Sequence, residues 1–167
     1  MIDFKMFDNM QKAIFEAKHL IQSNENIRKM LLIDSKNALE SATPSYESAS
    51  ENIVVAAVFD ITEEPFNKNT IMTVVLHRSS YDDENLMLTG MLKINILTRS
   101  ELWELNNNKI RPLEITNEVI KVLNNKKVSA SHKLYFSRME LAILNENVSG
   151  YSVIFFIEEG SGLDEQF

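Results

Sequence analysis

Leu92, Ile94 and Ile96 alternate with Lys93 and Asn95, the two-residue period of a strand with one dry face and one wet face. This strand constrains the chain most because of the unit it opens. A long connection leads to Ile110-Arg111-Pro112-Leu113, after which Ile115, Val119, Ile120 and Leu123 recur at helical spacing. Pro112 suits a helix start, since its φ is preset and its missing N–H would go unpaired in the first turn anyway. A strand, a long connection and a helix therefore occupy residues 86–122, and nothing in that unit carries catalytic chemistry.

Strands also predict themselves on either side. Residues 53–61 are apolar on both faces and read as a central strand. Residues 71–78 are rich in β-branched side chains, and the polar Ser79–Asn85 link reads as a hairpin loop. With 91–99 these make an expected antiparallel meander. Beyond the helix, Lys126-Lys127-Val128-Ser129 reads as a turn, 134–144 and 151–157 as strands, and the wholly apolar Ser152–Ile157 as central. At the N-terminus, Phe4, Phe7, Met10, Ile14, Ala17 and Ile21 form one stripe of an amphipathic helix over 4–22, with Asp3 as its expected N-cap. Asn24-Glu25-Asn26 interrupts it, and Ile27, Met30 and Leu31 imply a second short helix ending near Asp34.

The order α, (α), β, β, β, α, β, β indicates an α+β fold, a mainly antiparallel sheet of about five strands with the N-terminal helix and a second helix packed on it. Residues 1–157 read as one domain. Within it, Glu40–Asn52 is small and polar and reads as a structureless, mobile connector. Residues 158–167 hold four acids, no base and two of the four glycines, and read as a tail dispensable for folding.

The formal charge is -7, but four of those seven charges lie in that tail, so the body is close to neutral. This argues against a nucleic-acid binder, which needs a basic face that releases counterions. No cysteine is present, so thiolate chemistry and disulfides are excluded. No basic region precedes an apolar run at the N-terminus, so no secretory signal is expected. The longest apolar run, Ile53–Phe59, has seven residues and cannot span a bilayer. A soluble protein without membrane partners is expected.

Catalytic, cofactor and metal sites are not expected either. His19, His77 and His132 stand apart in the chain, outside any metal-ligand spacing, and read as surface or strand-edge residues. Gly90, Gly150, Gly160 and Gly162 lie at strand entries or in the tail, with no phosphate-binding pattern. Asp82-Asp83-Glu84 lacks the spacing and glycine of a calcium loop and reads as a solvated hairpin tip. Trp103, the single tryptophan, has two readings of equal weight, a cap on the open end of the core or an anchor in a partner's pocket.

This order of elements resembles the tail-terminator proteins of long-tailed bacteriophages. The resemblance is carried by the N-terminal amphipathic helix, the meander, the Met91–Leu97 strand, the Ile110-Arg111-Pro112-Leu113 helix entry and the Gly150–Phe156 closing strand. It implies a virion structural protein, not an enzyme, that is free in the host cytoplasm before assembly. It also implies a hexameric homo-oligomeric ring that stops tail-tube growth and contacts tail-tube and neck proteins, with DNA only as passing cargo. Other neck, head-completion or tube subunits, and a small-molecule-binding α+β domain, stay open. Because strands satisfy one another, a ring contact is expected in the loops at 40–52, 63–70 and 101–109. Tyr46 and Trp103 are its candidate aromatic anchors, and Arg99 and Arg111 its candidate partners for acids on the next subunit.

Overall fold

A computed structural model describes residues 5–56, 69–82, 87–129 and 132–159. Three helices, α1 (Lys5–Ser23), α2 (Glu25–Leu32) and α3 (Arg111–Leu123), pack on a six-stranded sheet. Its members are β1 (Ile53–Val55), β2 (Thr70–Asp82), β3 (Met87–Arg99), β6 (Lys126–Lys127), β7 (His132–Asn145) and β8 (Val148–Glu159). A separate hairpin joins β4 (Glu104–Leu105) to β5 (Lys109–Ile110). The sheet order is β1-β2-β3-β8-β7-β6, antiparallel throughout except where β1 runs parallel to β2. The fold is α+β.

Each helix arises from its own sequence. Met10, Ala13, Ala17 and Ile21 of α1 are buried at steps of three and four; Asp3 and Phe4 lie outside the described residues. The Asn24 side chain accepts from the Ile27 N–H at 2.9 Å and so caps α2, which explains why the chain breaks and restarts there. In α3, Pro112 occupies the first turn and Ile115, Val119 and Leu123 are buried. Leu92, Ile94 and Ile96 of β3 are wholly buried under these helices together with Val153 and Phe155 of β8.

Several expectations are corrected. Residues 53–55 form a short parallel strand at the sheet's end, not a central member of a meander; Ala57–Ile61 lie outside the described residues. Ser79–Asp82 belong to β2, which outlasts its apolar stretch because Ser80 and Thr89 bond across to each other at 2.8 Å; residues 83–86 are not described. Lys126-Lys127 is a strand pairing with Lys133 and Leu134. The 40–52 segment carries 3₁₀ turns at Ala38–Glu40 and Glu47–Ala49 and buries Ala49 and Asn52, whose amide donates to the Thr70 carbonyl at 2.9 Å. The expected tail begins inside β8, with Glu158 and Glu159 paired to Lys133 and His132; residues 160–167 are not described.

Gly90 and Gly150 stand within strands, not at their entries. A Cβ on Gly150 would overlap the Ile96 backbone carbonyl, so glycine is what lets β8 lie this close to β3. The Asn106-Asn107-Asn108 run turns the β4–β5 hairpin, with Asn107 and Asn108 at φ 63° and 58°. Asparagine tolerates that left-handed region better than other side chains.

Candidate assembly surface

The β3, β8 and β7 registers define one line of residues per level of the sheet. Ile94 stands opposite Val153, which stands opposite Met139; Ile96 aligns with Tyr151 and Leu141; Thr98 aligns with Ser149 and Ile143. Directly paired residues point to the same face, so Met139, Leu141 and Ile143 lie on the face that carries the helices. The helical layer reaches β7 only at its start. Leu134 is fully buried, and exposure then climbs through Phe136 (38%), Met139 (40%) and Leu141 (60%) to Ile143 (70%). A row of four large apolar side chains therefore faces outward at every second level, with a bulge at Ser137 keeping Phe136 and Met139 in phase.

Aromatic rings extend this row inward. Phe136 meets Phe155 edge-on with centroids 6.1 Å apart, and Tyr151, next to Leu141, stacks obliquely on Trp103 at 6.3 Å. The Trp103 indole N–H donates to the Thr98 carbonyl at 3.4 Å. The half-buried Trp103 ring thus borders the exposed row through Tyr151.

The backbone edge of β7 is open as well. Strand β6 pairs with Lys133 and Leu134 only, and the Asn124 side chain accepts from the Phe136 N–H at 2.9 Å. Among the described residues no strand pairs with the outer edge of β7 from Ser137 to Asn145. The opposite face of the same strands is mixed: Ser152 donates to Asn95 (2.6 Å), Asn95 donates to Thr73 (2.7 Å) and Arg138 binds Glu140 (2.6 Å), while Ile71, Leu97 and Val148 form a second, smaller apolar cluster there with Val54, Ala142 and Leu144. The Arg138 guanidinium holds the Glu140 carboxyl below its ordinary value.

The four residues singled out from sequence do not converge. Arg111 is buried, and its guanidinium donates five hydrogen bonds of 2.7–3.1 Å, to the carbonyls of Leu102, Met30, Ile33, Asp34 and Ser35. Burial pushes its pKa down while Asp34 opposes the shift. Its expected pairing with an acid on another subunit is therefore replaced by an internal role. It ties the end of α2 and the turn after it to the start of α3, satisfying carbonyls that a helix end leaves orphaned. Arg99 ends β3 half-exposed. Tyr46 lies against α1, its hydroxyl 2.8 Å from His19 Nδ1 and its carbonyl accepting from Gln22 at 2.7 Å. Only Trp103 borders the apolar row. The row itself is spelled Met139-Glu-Leu-Ala-Ile143, the same alternation that marks β3, so the pattern was readable but its exposure was not.

The histidines also separate. His19 and His77 are exposed, whereas His132 is buried where it opens β7, with Nδ1 2.8 Å from the Ser129 hydroxyl that also accepts from the His132 N–H. Among the described residues no three metal-ligating side chains gather. One open concavity of about 630 Å³ lies between α1 and the turn at Val128-Ser129, lined by Asp8, Lys12, Phe15 and Glu16. Among the described residues no helix is long and apolar enough to cross a membrane.

Residues 24–157, from the α2 cap to the end of the buried part of β8, match the model of the YomW family. The chain belongs to this phage-derived family. No curated protein matches it. The matched span takes in five strands of the sheet whole and β8 as far as Ile157, with the β7 row and Trp103, so the candidate surface lies inside the region that the YomW family model matches.

Proposed function

We propose that this YomW-family chain is a non-enzymatic structural subunit of the phage particle. It acts as a tail-terminator-like protein that forms a ring, caps the tail tube and joins it to the neck, with DNA passing through. The observation that supports this reading is the uncovered row Phe136, Met139, Leu141 and Ile143 beside an open strand edge. A long, exposed apolar edge is a liability in a chain that stays alone, and it serves a subunit destined to be covered. The near-neutral body suits a conduit, since tight phosphate binding would stall passing DNA. The test is electron microscopy of particles made without this chain. The reading requires full heads separated from tails of irregular length. An absence of all tails would assign the chain to the tube instead, and intact particles would remove it from the structural set.

A further inference from the structure

The open edge of β7 is self-complementary. The Leu134 carbonyl and the Phe136 N–H point away from β8, since they bond to the Asn125 N–H and the Asn124 side chain. Backbone groups alternate sides along a strand. Carried past the bulge at Ser137 with the β8 register, that alternation turns the N–H and C=O groups of Met139, Leu141 and Ile143 toward the open edge. These are also the residues whose side chains form the exposed apolar row. Leu141 is the midpoint of the open run Ser137–Asn145, with Met139 and Ile143 at equal spacing on either side and a bulge toward each end. Within that run stand one base and one acid, Arg138 and Glu140, which bind each other. The edge therefore carries no net charge that would push two copies apart.

We infer that the free chain pairs through this edge with β7 of a second copy, antiparallel about a two-fold axis at Leu141. Leu141 then stands opposite its own counterpart and Met139 opposite Ile143, each pair exchanging two backbone hydrogen bonds. The two apolar rows meet on one face as cross-strand neighbours. A second copy is selected because the occupant must bring open backbone groups and apolar side chains at the same alternate positions, and β7 itself does so. Both β3 and β8 are already paired on each side. Among the described residues β1 leaves β2 open beyond Val74, but that stretch runs through His77, Arg78, Ser79 and Ser80, which do not match an apolar row. Nine residues a side is well below the roughly 20–30 of a standard interface, so the pair is weak and reversible. It covers the edge before assembly, where an open edge invites aggregation. The pair goes beyond the ring reading, since an isologous contact closes at two copies and a ring needs a different, heterologous one.

The chain has no cysteine of its own, so single cysteines report the register. Hydrogen-bonded antiparallel partners have Cα atoms about 5.5 Å apart, within reach of a disulfide. With oxidised glutathione as oxidant, Leu141→Cys should form a disulfide-linked dimer at least about tenfold faster than Ile143→Cys, because pairing raises its effective concentration. Exposure alone predicts the reverse order, since Ile143 is the more exposed of the two. A mixture of Met139→Cys and Ile143→Cys should give mainly the mixed dimer. Sedimentation of wild type up to millimolar concentration should show a monomer–dimer equilibrium that salt changes little. Leu141→Lys sets two like charges at the axis and should weaken it at least about tenfold. Circular dichroism confirms that each variant is folded, and if Leu141→Cys is not, the mixture carries the test. Dimer formation by Leu141→Cys no faster than by Ile143→Cys, a statistical mixture, or wild type that stays monomeric each overturns the pair. The ring reading is decided separately by the particles.

Discussion

Ile94 and Ile96 in β3 and Met139, Leu141 and Ile143 in β7 carry the same alternating pattern and point to the same face of the same sheet, two strands apart. The first set is fully buried, and the second is 40–70% exposed. Alternation in a strand therefore specifies which side chains share a face, but not whether anything covers that face. Three helices are enough to roof β2, β3 and β8, and the roof ends before β7 does. Among the described residues no helix covers Met139, Leu141 and Ile143, and they are left as a surface with core chemistry.

The largest effect should come from the anchor that holds the roof down. Arg111→Ala removes the guanidinium donor from four carbonyls of the α2 end and the turn after it and from that of Leu102. A loss of about 3–5 kcal/mol is expected, measured by urea denaturation. A loss below about 1 kcal/mol would mean that water replaces the guanidinium without cost and that the roof does not depend on it.

Next is the direct contrast. Ile94→Ala should cost about 2–5 kcal/mol through lost transfer energy and a cavity. Leu141→Ala should stay within about 0.5 kcal/mol in the monomer while weakening any association. Denaturation of both variants at a concentration where the chain is monomeric decides it. Equal losses would show that β7 is covered in the free chain, and the comparison would collapse.

Smaller is the cap. Asn24→Ala removes the acceptor for the Ile27 N–H and the donor to Glu118, so about 1 kcal/mol should be lost. Hydrogen exchange should quicken at the start of α2 and leave β7 unchanged. Equal acceleration in both would mean the helices and the sheet open as one unit.

Smallest is a pH effect at the edge of the roof. Burial would raise the Glu118 carboxyl, but hydrogen bonds from Lys121, Asn24 and Asn26 and the Lys121 charge leave it below its ordinary value. A depressed folded pKa contributes stability that is full above the unfolded value, about 4.3, and is lost as pH falls through the lower folded one. Glu118→Gln should flatten the fall of melting temperature across that acidic window. An unchanged slope would show that the carboxyl is solvated like any surface glutamate.

The local chain decided much of this molecule on its own. The spacing of Met10, Ala17 and Ile21 makes α1 a helix with one buried stripe. Asn24 stops and restarts the helical run, Pro112 opens α3, and alternation marks β3 and β8 as strands. Each rests on interactions between residues a few positions apart, which a linear pattern records. The tertiary structure alone decided three further things. Ile53–Val55 became a parallel edge strand because its register is set by the Asn52 amide bonding Thr70, a contact across 18 positions. Arg111 became an internal anchor because α2 and the turn after it aim five carbonyls at it together with Leu102, four of them from residues 76 or more positions away. And the β7 row became a surface because coverage depends on where three helices end in space, a sum over long-range packing to which no short stretch of sequence corresponds.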